Sequence, residues 1–233
     1  MRTFLPATFA LVAIGAADSA SAATRNFGVS GFDRIRVDGP FSVRLATGVA
    51  PFAVASGSGS ALDSLSLDVQ GRTLIVRGNR SSWGGYPGEA KGPVEISIGT
   101  HELGAAWVNG SGSLAIDRLR GLSFDLSVVG SGSASVGLVS VDQLKVSIAG
   151  TGTARIAGSA PKLTANVRGI STLDASGLIA RDATIGAQGP ATVKATVTGT
   201  VKVDALGPAL VDLAGKPACT VKAEGSATVT GCR

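Results

Sequence analysis

The sole histidine of this 233-residue chain is His101, which lies between Thr100 and Glu102. Zinc and haem sites draw several histidine or cysteine ligands together, and no second histidine or cysteine lies near His101 in the sequence. We therefore predict that His101 is a surface turn residue, with catalysis or metal binding as the alternative. No catalytic residue, metal ligand or cofactor is assigned from the sequence.

Two aromatic residues, Trp83 and Tyr86, lie in the glycine-rich segment 80–92 (RSSWGGYPGEAKG). Aromatic side chains on a protein surface often mark binding sites, including platforms on which sugars stack. Trp83 and Tyr86 are therefore candidate ligand-binding residues. The alternative is that both rings fold back and cover the open end of the core.

The two cysteines, Cys219 and Cys232, are close to each other near the C-terminus. Residues 1–22 read as a secretory signal, with Arg2 at its start, an apolar stretch and the small-residue cleavage pattern Ala20-Ser21-Ala22. Because exported proteins meet an oxidising compartment, we predict that the two cysteines form a disulfide. A buried thiol at Cys219 with a free thiol at Cys232 is the alternative.

A sequence repeat predicts the strands that position these residues. Glycines recur every 18–20 residues in the second half of the chain, at Gly110, Gly130, Gly150, Gly169, Gly189, Gly207 and Gly225. Aligned on these glycines, the positions two and four residues before and four and six residues after are apolar, and the positions between them are mostly polar. A period of two predicts strands with one buried face, and a glycine fits a tight corner between two strands.

The sequence therefore predicts an all-β fold, a right-handed parallel β-helix or β-solenoid with 18–20-residue coils. Regular coils are expected over residues 101–233, preceded by a less regular β section over residues 27–100. No linker separates the two parts, so residues 23–233 are predicted to form a single domain after removal of the signal peptide, residues 1–22.

Two outward columns of the aligned repeat carry polar side chains. Three residues after the glycines stand hydroxyl residues in most coils, at Ser113, Ser133, Thr153, Thr172, Thr192 and Thr228, with Leu210 as the exception. Five residues after them stand Arg155, Asp174, Lys194 and Asp212. Alternating charges on neighbouring coils should favour the correct register, and they would break the flat surface that an ice-binding hydroxyl ladder needs.

The aspartates in the second of these columns can be compared with the paired carboxyl groups of a glycosidase. Asp174 and Asp212 are two coils apart, which corresponds to about 10 Å at a spacing of ~4.8 Å. That distance exceeds the ~6.5–9.5 Å between the carboxyl groups of an inverting glycosidase, and Lys194 lies between them. We therefore predict that the protein is not an enzyme, with a carbohydrate-active lyase or hydrolase as the alternative.

The arrangement resembles the head GIN domain family, a bacterial family described as auto-transporter adhesins. The residues that carry the resemblance are 32–39 (FDRIRVDG), 71–76 (GRTLIV) and the Gly-Ser-Gly and Gly-Thr-Gly coils that begin at Gly110, Gly130 and Gly150. The resemblance covers residues 25–231. It implies a β-solenoid of stacked short strands and an adhesive role, and it brings no catalytic residues with it.

The amino-acid composition and the net charge exclude several classes of protein and of binding partner. Glycine makes up 33 of 233 residues, about twice the usual ~7%, but abundant small apolar residues exclude disorder and a missing three-residue period excludes collagen. Removing residues 1–22 takes away Arg2 and Asp18 and leaves 20 basic and 15 acidic residues, a net charge of +5. The basic residues are scattered, so nucleic acid is not an expected partner, and no later segment reaches membrane-spanning length.

Together these features predict an exported, non-enzymatic β-solenoid in the periplasm or at the cell surface, serving as an adhesion or ligand-binding module of the cell envelope. Its expected partner is an unidentified cell-surface or glycan ligand. A purely structural envelope protein is a further alternative, and the oligomeric state is left open.

Overall fold

The computed structural model describes residues 23–79 and 93–233. The predicted signal peptide and the segment 80–92 lie outside the described residues. Described strands β1 to β17 form one sheet, interrupted by a short helix, α1. The elements are β1 (Ala23–Phe27), β2 (Arg34–Asp38), β3 (Ser42–Thr47), β4 (Phe52–Gly57), α1 (Gly59–Asp63), β5 (Leu65–Gln70), β6 (Thr73–Gly78), β7 (Glu95–Thr100), β8 (Ala105–Gly110), β9 (Ser113–Gly130), β10 (Ser133–Gly150), β11 (Thr153–Ser159), β12 (Lys162–Gly169), β13 (Thr172–Gln188), β14 (Thr192–Leu206), β15 (Leu210–Ala214), β16 (Ala218–Glu224) and β17 (Thr228–Thr230).

Strands β8 to β17 form the stacked coils that the glycine repeat predicts. Neighbouring coils pair in parallel, and the corner glycines stack directly on one another, as Gly110, Gly130 and Gly150 do. Gly150 has φ of +110°, and a Cβ there would lie 2.6 Å from the carbonyl oxygen of Gly130. The positive φ recurs at every corner glycine of the repeat, whereas the close approach of the coil beneath is found at Gly130, Gly150 and Gly169.

The core runs through the centre of the coils. The apolar columns predicted from the repeat are buried in every coil from β8 to β15, with Phe124 among the largest fully buried side chains. Because each coil packs its inner residues against the coils above and below, no coil could bury this surface alone. The β-solenoid prediction is confirmed, whereas the right-handed sense of the coils stays a prediction.

The parallel stack also includes strands from the segment that was predicted to be less regular. Strand β2 lies between β6 and β8, and β3 lies between β7 and β9, all in parallel. Between β2 and β3, Gly39 forms a corner beneath Gly110. At this end, the order of the strands in the stack therefore differs from their order in the sequence. Strands β6 and β7 follow β2 and β3 in the sequence, but they lie closer to the end of the stack.

Antiparallel strands close the outer end of this stack. Strand β5 pairs with β6, β4 pairs with β7, and β1 pairs with β4. The five-residue helix α1 connects β4 to β5, and its N-terminus is capped by the Ser58 hydroxyl, which accepts a hydrogen bond from the Ala61 backbone N–H at 3.3 Å. Within residues 23–79 and 93–233, this helix is the one departure from the all-β prediction. No described helix has the length and apolar character needed to cross a membrane.

The opposite end of the described stack is open. Val221 of β16 occupies an inward column but is 43% exposed, because no described strand packs on its outer side. A disulfide joins Cys219 to Cys232, with Cα atoms 5.7 Å apart, in agreement with the pairing predicted from the sequence. Cys219 is partly buried against the core, so the bridge fastens the chain that follows β17 to the last coil.

Candidate functional site

Trp83 and Tyr86, the ligand-binding residues predicted from the sequence, lie outside the described residues. The chain between β6 and β7 carries them. Their role stays a prediction.

His101 lies at an exposed bend after β7, as predicted for a surface turn residue. It borders a shallow cleft of about 310 Å³ together with Arg118 and Arg120. Among the described residues no three His, Cys, Asp or Glu side chains come together as a metal site.

Asp174, the carboxylate tested for glycosidase chemistry, is engaged in charge pairing. Arg155, Asp174, Lys194 and Asp212 lie in one row on successive coils, which confirms the sequence alignment. The Arg155 Nε atom lies 3.1 Å from Asp174 Oδ2. Hydrogen bonds from the hydroxyl and backbone N–H of Ser176, with a smaller contribution from Arg155, hold the pKa of Asp174 below its ordinary value. A carboxyl group in this state is ionised at neutral pH and is a poor general acid.

Two outer sheet faces of the solenoid are broad enough to bind a partner. The first, which we call the hydroxyl face, is formed by the strands that follow the corner glycines. Its first row contains the residues Ser42, Ser113, Ser133, Thr153, Thr172, Thr192, Leu210 and Thr228. The row predicted from the repeat thus extends by one further strand, to Ser42 of β3, whose hydroxyl lies 3.2 Å from that of Ser113.

The hydroxyl face ends in a shallow groove of about 400 Å³ beside strand β4. Phe52, 41% exposed, forms one wall, and its ring occupies the space that a side chain at Gly99 would fill. Small residues, including Ala46 and Ala115, give the groove its depth, and Arg44 and Asp117 add opposite charges at its border. The groove combines an apolar surface with groups that can hydrogen-bond a ligand.

The second face, which we call the Trp107 face, is formed by the strands that precede the corners. Trp107 points outward from β8, between the buried residues Ala106 and Val108, and is only partly buried. It pairs across the strands with Arg36 of β2 and Ser127 of β9. Trp107 is a candidate that was not predicted from the sequence, although its position three residues before Gly110 is an outward column of the repeat.

An ordered polar network lies beside Trp107. Asn109 Nδ2 donates to Asp38 Oδ1 at 2.7 Å, and Arg36 Nε donates to Asp38 Oδ2 at 2.8 Å. Partial burial acts to raise the pKa of Asp38, but the hydrogen bonds from Arg36 and Asn109 outweigh it and hold that pKa below its ordinary value. The network holds Arg36 along its own strand, at the position of β2 that is in register with Trp107.

A shallow depression of about 240 Å³ begins at Ser127, the neighbour of Trp107 on β9. It is lined by Ser127, Ser147, Asn166 and Arg168, with exposed Val129 at its border. These side chains offer hydroxyl, amide and guanidinium groups to a bound molecule. Arg168 makes no ion pair within 4.0 Å with any residue in the described ranges.

Stacked parallel coils with exposed outer sheet faces define a β-solenoid. The chain belongs to the family described as "Putative auto-transporter adhesin, head GIN domain", whose model matches residues 31–217. This finding confirms the resemblance noted from the sequence. No curated protein matches the chain.

Solved structures share the fold at low sequence identity. A crystal structure described as a "putative adhesin" from Bacteroides fragilis has a TM-score of 0.82 and 18% identity, covering 91% of this chain and 97% of that one. A "putative lipid binding protein" from Parabacteroides distasonis has a TM-score of 0.67 and 18% identity, covering 91% and 96%. A "putative adhesin" from Parabacteroides merdae has a TM-score of 0.66 and 19% identity, with the same coverage.

Proposed function

We propose that this protein is an exported, non-enzymatic adhesion module that binds a cell-surface or glycan ligand in the periplasm or outside the cell. The observation that carries the proposal is the hydroxyl face, whose row of hydroxyl side chains runs from Ser42 to Thr228, interrupted by Leu210, and ends in the groove beside Phe52. Such a face offers many weak polar contacts and one apolar anchor, an arrangement that suits binding to an extended surface.

Export is supported by three observations. The sequence of residues 1–22 has the form of a secretory signal. Disulfides such as that between Cys219 and Cys232 persist in oxidising compartments and are rare in cytosolic proteins. The matching family is described as one of adhesins. Fractionation of cells that express the full chain should place the processed protein outside the cytoplasm, and a cytoplasmic, unprocessed chain would contradict export.

Binding of the mature protein, residues 23–233, to arrays of glycans and bacterial surface polymers tests the proposal. Phe52→Ala removes the apolar wall of the groove and should weaken binding, whereas Leu122→Ala should not. Leu122 is a suitable control because it is also exposed, at 79%, and lies outside the groove. Absence of binding by every probe would favour a purely structural role, and cleavage of any probe would favour a carbohydrate-active enzyme.

The groove also supports a second candidate function, binding of a lipid acyl chain. Phe52 and the apolar floor of the groove are the observation that favours it, and one structure of similar fold is described as a "putative lipid binding protein". Co-sedimentation with phospholipid vesicles that is lost in Phe52→Ala would support this candidate over a glycan.

Trp83 and Tyr86 remain proposed ligand-binding residues. Replacement of both by alanine should weaken ligand binding while the melting temperature changes little. A large fall in melting temperature with unaltered binding would instead favour the alternative, in which both rings cover the end of the core.

A further inference from the structure

We propose that Trp107 and the depression beside it form a binding site for an acidic oligosaccharide. The inference rests on the proposed function and deepens it, because it names a ligand class and a site on the second outer face. The site is separate from the groove at Phe52, which lies on the hydroxyl face.

Trp107 provides the aromatic platform. Its strand neighbours Ala106 and Val108 fill the core, so the indole does not contribute to the inner packing of the coil. The next outward residues in its row are Ser127 and Ser147, which are small and leave space above the sheet on that side of the ring. An indole face beside open space suits the apolar face of a pyranose ring.

The polar groups around Trp107 are held in place before a ligand arrives. Asp38 accepts hydrogen bonds from both Arg36 and Asn109, so these three side chains are fixed relative to the indole. Fixed hydrogen-bonding groups lose little conformational freedom on binding, which favours affinity for a hydroxyl-rich ligand. The carboxylate of Asp38 balances the charge of Arg36, so this part of the site suits a neutral sugar unit.

Arg168 is the residue that binds the acidic sugar unit of the ligand. This residue is exposed at the border of the depression, and Ser147 and Asn166 lie beside it. Its guanidinium makes no ion pair with any described residue, unlike that of Arg36. A planar guanidinium suits a carboxylate because it can donate two parallel hydrogen bonds.

The separation of these groups sets the size of the ligand. Strands β8, β9, β10 and β12 are neighbours in the stack, and the residue of β12 in register with Trp107 is Asn166, so Arg168 is three strand spacings and two residues from Trp107. At ~4.8 Å per spacing and ~3.3 Å per residue, this is roughly 16 Å. One sugar cannot contact both groups, so the site fits a short oligosaccharide laid across the strands.

Calorimetric titration of the mature protein with tetragalacturonate, and with the same oligosaccharide after reduction of its carboxyl groups, tests the inference. Trp107→Ala should weaken tetragalacturonate binding roughly tenfold through loss of the stacking surface, and Trp107→Phe should restore much of it. Arg168→Gln should weaken binding of the acidic form about fivefold and leave the neutral form unchanged. Arg120→Gln, which removes the same charge from another side of the coil, should leave both forms unchanged.

Unaltered melting temperatures of Trp107→Phe and Arg168→Gln would show that these effects come from the site. No binding of tetragalacturonate, or binding that does not depend on Trp107, would overturn the inference. Equal affinity for the acidic and neutral forms would overturn the assignment of Arg168. The array experiment with Phe52→Ala judges the proposed function separately, since that variant leaves the Trp107 face intact.

Discussion

At the scale of single residues, Asp38 is a carboxylate that accepts side-chain hydrogen bonds from two strands. It receives hydrogen bonds from Arg36 within β2 and from Asn109 of the neighbouring strand β8. Because these donors favour the ionised form, the pKa of Asp38 in the folded protein is below its ordinary value, despite partial burial. The carboxylate therefore stabilises the pairing of two strands that are far apart in sequence.

The stabilisation by Asp38 should depend on pH. A carboxyl group with a lowered pKa in the folded state contributes its full stabilisation above its unfolded value of about 3.9 and loses it as the pH falls through the folded value. The difference in unfolding free energy between the wild type and Asp38→Asn should thus be present at pH 7 and shrink below about pH 4. Urea unfolding across this range measures it, with Asp142→Asn as the control for loss of one negative charge. A difference that persists unchanged below pH 3 would contradict the role assigned to Asp38.

Corner glycines that the coil beneath approaches closely, such as Gly150, should tolerate substitution much less than glycines in open turns. Gly150→Ala introduces a Cβ only 2.6 Å from the Gly130 carbonyl oxygen at φ of +110°, whereas Gly48→Ala has φ of +77° and no atom within 4 Å. Backbone strain alone costs about 1–2 kcal/mol. We expect Gly48→Ala to lose about that much unfolding free energy and Gly150→Ala clearly more, because the coil beneath must also move. Equal losses in chemical denaturation would show that the close approach is unimportant.

At the scale of the elements, the row of alternating charges favours the correct register of neighbouring coils. Arg155 and Asp174 form an ion pair at 3.1 Å, with the Arg155 side chain 79% exposed. Exposed pairs are worth ~0–1 kcal/mol, so the row contributes little stability. Its effect is on register, because a slip by one coil brings like charges together.

A double-mutant cycle on Arg155→Ala and Asp174→Ala should give a coupling energy of no more than about 1 kcal/mol. Chemical denaturation of the two single variants and the double variant measures this value. A coupling of several kcal/mol would mean that the pair is an important part of the fold.

The disulfide should act locally on the last coil. Replacing both Cys219 and Cys232 by serine should lower the unfolding free energy by roughly 3 kcal/mol in the chain-entropy estimate for a loop of about 14 residues. Amide hydrogen exchange should accelerate in β16 and β17 and stay unchanged in β9 and β10. Thiol titration of the unreduced, denatured mature protein should find no free thiol, and two per chain would mean that the bridge does not form.

Regular coils could be predicted from the sequence because each repeats the same glycine spacing and the same alternation. The position of β2 and β3 in the stack could not, since Gly39 and Gly110 are separated by inserted strands and follow no fixed spacing. The antiparallel pairs at β1, β4 and β5 depend on contacts between distant segments, which periodicity does not reveal. Trp107 could have been recognised, because the inward residues on both sides of it imply that it faces outward.

At the scale of the whole molecule, the two ends of the stack differ. Antiparallel strands and α1 close one end, while β16 and β17 leave inward residues such as Val221 partly exposed at the other. In a solenoid each coil interacts mainly with its neighbours, so stability is approximately a sum of coil and interface contributions. The open end should therefore unfold locally before the closed end does.

Because neither end depends on the number of coils between them, the protein can vary in length as a modular rod. An extra copy of residues 131–150 inserted after Gly150 repeats one complete corner-to-corner unit and keeps the inward columns in step. Such a variant should fold, and small-angle scattering should show a particle longer by about one strand spacing of ~4.8 Å. An aggregated product, or one of unchanged length, would contradict this. For a protein fixed at a surface, coil number would then determine how far its outermost residues extend toward another cell.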